Sequence, residues 1–392
     1  MRRNTHFSQV ASRYLFQEIR ERKRDFLQQY PHAELISLSI GDTTEPITPH
    51  ICQGLTSISS SLGSEAGYMG YGPEQGILEL RQAIATTLYH DRVDADDVFV
   101  SDGAKCDIGR LQTLFGPETS VALQDPAYPA YLDTSIIHRG RDSIILLPCT
   151  PENHFFPDLA LAEKADVLFL CSPNNPTGAL FSHEQLATIV QFAKDRKKII
   201  VFDTAYSLYI QGDGPRSIYE IAGAKEVAIE IGSFSKIAGF SGVRLGWTVV
   251  PKELHYHSGE PVRADWMRLI TTFYNGSSII SQHGGIAALQ PAGMSEMREL
   301  VSFYLESTGL LLEAFKQLGY EVYGGIHAPY LWVRLQGKSS WDAFDELLRT
   351  AHVLTTPGIG FGESGDGFLR ISGFGKRATI LEAIGRLHRY RQ

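Results

Sequence analysis

Cysteine is scarce, and the four present (Cys52, Cys106, Cys149 and Cys171) are widely spaced with no C-x-x-C pair. That spacing gives neither a disulfide framework nor a zinc site, and it suits reduced thiols in a cytoplasm. Long apolar runs are lacking too, and none approaches the ~20 residues of a membrane-spanning helix. Met1-Arg2-Arg3 is basic, but no apolar segment follows it, so no secretory signal is expected. No basic block stands anywhere: 36 Lys and Arg against 44 Asp and Glu leave a formal charge of −8, which argues against a nucleic-acid surface. His255 and His257 have no companion ligands and read as an exposed loop beside Ser258-Gly259. Internal repeats and low-complexity tracts are missing as well. What remains is 43% hydrophobic and 20% charged, ordinary for a soluble globular chain, and 392 residues exceed one core, so two lobes are expected.

From the N-terminus, residues 8–29 read as an amphipathic helix stopped by Pro31, and Leu35 to Ile40 as a short strand ending in Gly41-Asp42. Gly67 to Gly76 is a glycine-and-aromatic loop of the kind found at interfaces, followed by a helix with Ile77, Leu80, Ile84 and Leu88 on one face. Strand and helix then alternate, the signature of an α/β domain with a largely parallel sheet. Val98-Phe99-Val100 leads to a helix starting near Lys105, and Ser120 to Gln124 leads to Asp125-Pro126-Ala127-Tyr128-Pro129. Val167 to Cys171 leads to Ser172-Pro173-Asn174-Asn175, then to a helix capped by Ser182 with Gln185. Ile199 to Phe202 ends at Asp203, with Tyr206 three residues on. Val227 to Ile231 ends at Gly232-Ser233-Phe234-Ser235-Lys236, with Arg244 following and a second apolar run, Trp247 to Val250. The gap between those two runs is too short for a crossover helix, so the second is expected as an antiparallel neighbour. After about residue 290 the pattern changes to a long helix over Met294 to Leu318, strands at Tyr330 to Leu335 and Phe368 to Ser372, and a helix over Trp341 to Ala351. We place a large domain at 48–292 and a smaller α+β domain at 1–47 with 293–392. Gly360 to Gly365 fits G-x-G-x-x-G but lacks a βαβ frame, and reads as a flexible loop with no dinucleotide role.

Ligands of open α/β sheets bind outside the carboxyl ends of the strands, and Asp102, Tyr128, Asn175, Asp203 and Lys236 all stand at such ends. Together they suit a cofactor with a protonatable ring nitrogen, a phenolic oxygen, an aldehyde and a phosphate. Lys236 forms the Schiff base, and Asp203 keeps the ring nitrogen protonated so that the ring acts as an electron sink. Tyr206 and Asn175 reach the phenolic oxygen, and Tyr128 stacks on the ring. The backbone at Ala104-Lys105, with Ser233, Ser235 and Arg244, holds the phosphate.

These marks, Asn175-Pro176-Thr177-Gly178, Asp203-x-x-Tyr206, Ser233-x-Ser235-Lys236, Arg244 and Arg370, resemble the fold-type I pyridoxal-phosphate aminotransferases of class I/II along nearly the whole chain. More narrowly, Leu38 to Pro46, Gly70 to Gly76, Ser101 to Asp107 and Phe273 to Gly276 resemble the branch of that family that acts on diaminopimelate. The resemblance implies a mostly parallel seven-stranded sheet between helices. It implies pyridoxal 5'-phosphate as cofactor and ping-pong exchange of an amino group between LL-diaminopimelate and 2-oxoglutarate, giving tetrahydrodipicolinate and glutamate. It also implies a homodimer in which Tyr71 crosses to the partner's phosphate. Arg370, with Gly41 and Asn175, takes the substrate α-carboxylate. Glu74 and Lys105, with Tyr14 and Asn275 nearby, meet its distal end. Two rivals stay open at this point: another aminotransferase or a pyridoxal-phosphate lyase on the same scaffold, and a non-catalytic regulator of the same fold.

Overall fold

A computed structural model describes residues 1–11 and 14–391, and side chains up to residue 389. Its centre is a seven-stranded sheet in the order Val98–Ser101, Gly246–Val249, Ala228–Ser233, Ile199–Asp203, Val167–Cys171, Val121–Asp125, Ile144–Pro148. Only Gly246–Val249 runs antiparallel, between Val98–Ser101 and Ala228–Ser233, as the short connection required. Alternate side chains feed two cores. Val167, Phe169, Cys171, Val201 and Ile231 pack on one face, and Leu168, Leu170, Ile200 and Phe202 on the other. A sheet covered on both faces explains why its strands are nearly unbroken apolar runs.

A second, four-stranded antiparallel sheet orders Thr356–Pro357, Phe368–Ser372, Tyr330–Arg334 and Val322–Gly324. Its core also takes Leu15, Ile19, Phe26 and Leu38 from the N-terminal segment. The helix Pro291–Gln317 spans both regions: Met294, Met297 and Tyr304 lie in the large core, Leu311 and Phe315 in the smaller one.

Three expectations are corrected. The first helix is Leu15–Gln29, because Tyr14 is extended (φ −68°, ψ 134°) and only a short 3-10 turn, Thr5–Ser8, precedes it; residues 12 and 13 of the expected span lie outside the described residues. The strand expected over Leu35 to Ile40 shrinks to Ile36–Ser37, paired in parallel with Val353–Leu354. The Gly360 to Gly365 segment is packed in place as two 3-10 turns, Gly358–Phe361 and Glu363–Gly365. There the Ala127 amide donates to the Phe361 carbonyl (2.9 Å) and the Ser364 hydroxyl to the Asp125 carboxylate (2.8 Å).

Candidate active site

The parallel strands all end at one edge of the sheet, so the turns that follow deliver their side chains together. The antiparallel strand begins at that same edge, which brings Arg244, just before Gly246, back to where Ser233 ends. A cavity of about 480 Å³ opens there, lined by Ala104, Lys105, Tyr128, Asn175, Asp203, Tyr206, Ser233, Ser235, Lys236 and Arg244. From the smaller sheet and N-terminal segment, Arg370, Tyr330, Gly41, Asp42 and Phe16 close it.

The Lys236 ammonium donates to Asp42 Oδ1 at 3.4 Å. Burial lowers the Lys236 pKa, with Arg370 and Arg244 adding to the effect and Asp42 opposing it. A lowered amine pKa favours the neutral form that imine chemistry needs. Asp203 is buried, accepts from the Tyr131 hydroxyl (2.7 Å) and the Ala205 amide (2.9 Å), and has no cationic partner among the described residues. Burial raises its pKa against those two hydrogen bonds.

At the other end of the cavity lies an anion cradle. The helix Ala104–Phe115 starts here, and its first amides have no intrahelical acceptors. Gly103 precedes it at φ 121°, where a Cβ would meet Arg244 Nη2 at 2.3 Å, so glycine is what lets the guanidinium lie against the helix start. Arg244 donates to the Ser241 carbonyl (2.8 Å) and pairs with no carboxylate among the described residues. The Ser235 amide donates to the Ser233 hydroxyl at 3.1 Å.

Arg370 is fully buried and, among the described residues, has no acid beside it. It donates to Asn175 Oδ1 (2.9 Å), the Ser39 carbonyl (3.0 Å) and Thr356 Oγ1 (3.4 Å), and its Nε has no partner. The guanidinium sits 4.4 Å from the Tyr330 ring centre and 5.0 Å from that of Phe361. A buried acid without a cation and two cations without acids are the features a cationic ring with a phosphate, and an incoming carboxylate, would complete.

Tyr128 meets Tyr131 edge to face at 5.9 Å. Lys105 Nζ lies 5.8 Å from the Tyr128 ring and 5.0 Å from that of Tyr14, whose hydroxyl burial makes less acidic. Four expected residues do not line the cavity in this chain: Tyr14 lines an adjoining hollow beside Tyr128 and Tyr131, Tyr71 is 89% exposed, and Glu74 and Asn275 are exposed on loops that abut each other. Asp102 turns away to pair with Arg110 at 2.8 Å. Asp42, Tyr131 and Tyr330 were missed. Asp42 adjoins the flagged Gly41, but Tyr131 and Tyr330 carry no motif, and only packing and strand register place them.

The profile of the family described as aminotransferase class I and II matches residues 33–387, and the chain belongs to that family, whose members work with pyridoxal 5'-phosphate; it is a pyridoxal-phosphate-dependent aminotransferase of fold type I. Within the family it groups with proteins named LL-diaminopimelate aminotransferase. It is 50% identical over 398 residues to one from Protochlamydia amoebophila (99% of this chain, 97% of that one). It is 52% identical over 395 residues to the chloroplastic one of Arabidopsis thaliana (98% and 86%). The solved structure of the Chlamydomonas reinhardtii protein of that name superposes with a TM-score of 0.96 at 49% identity, covering 100% of this chain and 99% of that one.

Proposed function

We propose that this enzyme transfers an amino group between LL-2,6-diaminopimelate and 2-oxoglutarate, forming tetrahydrodipicolinate and L-glutamate, in the diaminopimelate route to lysine and peptidoglycan precursor. The observation that carries the reading is a cavity pairing Lys236 and Asp203 with an acid-free Arg370, on a chain half identical along its length to proteins of that name.

Bound through Lys236, pyridoxal 5'-phosphate supplies an electron sink for the charge left at the substrate Cα. Asp203, oriented by Tyr131, holds the proton on the ring nitrogen. Asn175 and Tyr206 face the phenolic oxygen, and Tyr128 the ring. Arg244, Ser233, Ser235 and the helix start at Ala104-Lys105 hold the phosphate. Arg370, with Gly41 and Asn175 beside it, takes the α-carboxylate. Lys236 takes and returns the proton at Cα, general-base work worth ~10²–10⁴ in rate. The Lys236→Ala variant should lose the yellow, borohydride-reducible adduct, and a retained adduct would remove Lys236 from this role.

The distal ammonium and carboxylate fall to Lys105 and Tyr14 of one subunit with Glu74 and Asn275, and Tyr71 completes the phosphate site of a partner subunit in a homodimer. Supporting this are the exposed apolar side chains Tyr68 (73%), Tyr71 (89%) and Phe273 (68%) around those loops. Mixing inactive Lys236→Ala and Glu74→Gln chains should regain activity if sites are shared. The lobes divide at 48–292 against 1–47 with 293–392, supported on the N-terminal side by Leu15, Ile19, Phe26 and Leu38 in the smaller core, while the start of the helix Pro291–Gln317 packs in the large one; the enzyme is cytoplasmic, supported by four unpaired cysteines. No described helix is long and apolar enough to cross a membrane. Glutamate formation from 2-oxoglutarate should be fastest with LL-diaminopimelate among a panel that includes aspartate, alanine, tyrosine and S-adenosylmethionine. Preference for any other donor overturns the substrate assignment.

A further inference from the structure

Tyr330 has no role in the chemistry so far, yet it bridges the two ends of the site. Its strand, Tyr330–Arg334, pairs with Phe368–Ser372 so that Trp332 faces Arg370 and Tyr330 faces Ser372. Tyr330 and Arg370 are therefore diagonal neighbours on one sheet face, which lays the guanidinium 4.4 Å from the ring centre. At its far end the Tyr330 hydroxyl meets the Tyr206 hydroxyl at 2.8 Å, with both rings buried and lining the cavity. Phe374 meets the Tyr330 ring edge-on at 5.9 Å, and Tyr206 does so at 5.4 Å.

We propose that Tyr330 is a positioning residue that couples occupation of Arg370 by a carboxylate to the hydroxyl of Tyr206, and through it to the cofactor's phenolic oxygen. This rests on the cofactor placement given above. A cation on a ring face draws electron density from the phenol and makes it the better donor. In the free enzyme Tyr330 then donates to Tyr206, which leaves the Tyr206 hydrogen to point into the cavity. A carboxylate on Arg370 neutralises the cation, weakens Tyr330 as a donor and changes what Tyr206 gives the cofactor. The charged and titratable groups facing the pair include Arg370, Asp42, Tyr128, Cys171 and Tyr209, whose ring lies 6.0 Å from that of Tyr206. Burial raises both phenols, and Arg370 opposes the rise for both, being the first opposing cause at Tyr330. The Asn175 side chain, bonded to Arg370, offers a parallel route that the test must separate.

Tyr330→Phe keeps the ring beneath Arg370 and deletes only the hydroxyl. The measurement is the pH midpoint of the absorbance of the lysine-bound cofactor in the holoenzyme, with and without saturating glutarate, a dicarboxylate that has no amine. Wild type should show a glutarate-dependent displacement of that midpoint, and Tyr330→Phe should lose most of it. KM for the amino donor should stay unchanged while kcat falls about fivefold, the equivalent of one hydrogen bond. Tyr206→Phe and the Tyr206/Tyr330 double variant should then show the same residual displacement. A displacement in Tyr330→Phe equal to wild type, or additive losses in the double variant, overturns the coupling. A wild-type chain that takes up no cofactor overturns the underlying reading instead, and the proposal with it.

Discussion

Replacing Arg370 by lysine keeps a buried positive charge and removes the planar fork. The guanidinium gives hydrogen bonds to Asn175, Ser39 and Thr356, while Nε has no partner among the described residues. An arriving α-carboxylate would convert a buried cation without an acid into a bidentate pair. A lysine ammonium can answer one carboxylate oxygen well but lacks the second parallel donor. Losing one charge-assisted hydrogen bond costs ~1.5–3 kcal/mol, which corresponds to ~10- to 150-fold in kcat/KM. Donor and acceptor share only the α-carboxylate end, so the loss should be equal for the amino acid and the oxo acid, followed as separate half-reactions. The enzyme should still take up the cofactor as a borohydride-reducible adduct, because Lys236 and Asp203 are untouched. A loss below about threefold, less than one such hydrogen bond, or one confined to a single substrate, would show that Arg370 does not hold the shared carboxylate.

Asp42→Asn removes the acid 3.4 Å from Lys236, so the amine pKa should fall further and cofactor uptake by the apoenzyme should have its pH midpoint moved downward; an unmoved or raised midpoint contradicts this. Gly103→Ala puts a methyl where Arg244 lies, at a φ of 121° that a side chain tolerates poorly, so cofactor affinity measured by fluorescence titration should drop; unchanged affinity would remove Arg244 from the phosphate site. Glu230 is buried, and burial lifts its pKa from 4.5 to about 7, so the folded chain keeps this proton longer than the unfolded one. Its contribution to stability therefore declines as pH rises from the unfolded value through about 7, by an amount on the order of 3 kcal/mol. Glu230→Gln should gain in Tm relative to wild type between pH 5 and 8 by that mechanism, and parallel Tm curves would refute it.

The parts of the site legible in the sequence are those that hang from the ends of apolar runs. Asp203, Ser233, Lys236 and Arg244 were found because their strands are buried on both faces and so stand out as unbroken hydrophobic stretches. Legibility failed where the physics gives no run. The strand Ile144–Pro148 lies at the sheet edge, where its proline is tolerated, and that proline argues against a strand when read alone. The helix Ile279–Leu289 is buried along most of its length, from Ser281 on, so it has no polar face to set a period. Tyr131 and Tyr330 act through contacts set by a helix start and a cross-strand register, neither of which leaves a mark in local composition.

The same site explains why the chain buries charges that no ordinary core would keep. Among the described residues Arg370 is buried without an acid and Asp203 without a cation, and burial works against the charge on both Asp203 and Lys236. Arg370 and Asp203 each weigh against the fold, because desolvating a charge without an opposite partner costs several kcal/mol. The double-faced sheet offsets that cost, since its two apolar layers lie directly beneath the strand ends that carry these groups. A phosphate beside Arg244, a ring cation beside Asp203 and a carboxylate on Arg370 would each relieve one of these strains. Stability and occupancy are therefore linked. Ligand at about a hundred times its Kd adds ~2.7 kcal/mol, and part of that gain comes from charges the fold had already placed and left unpaired.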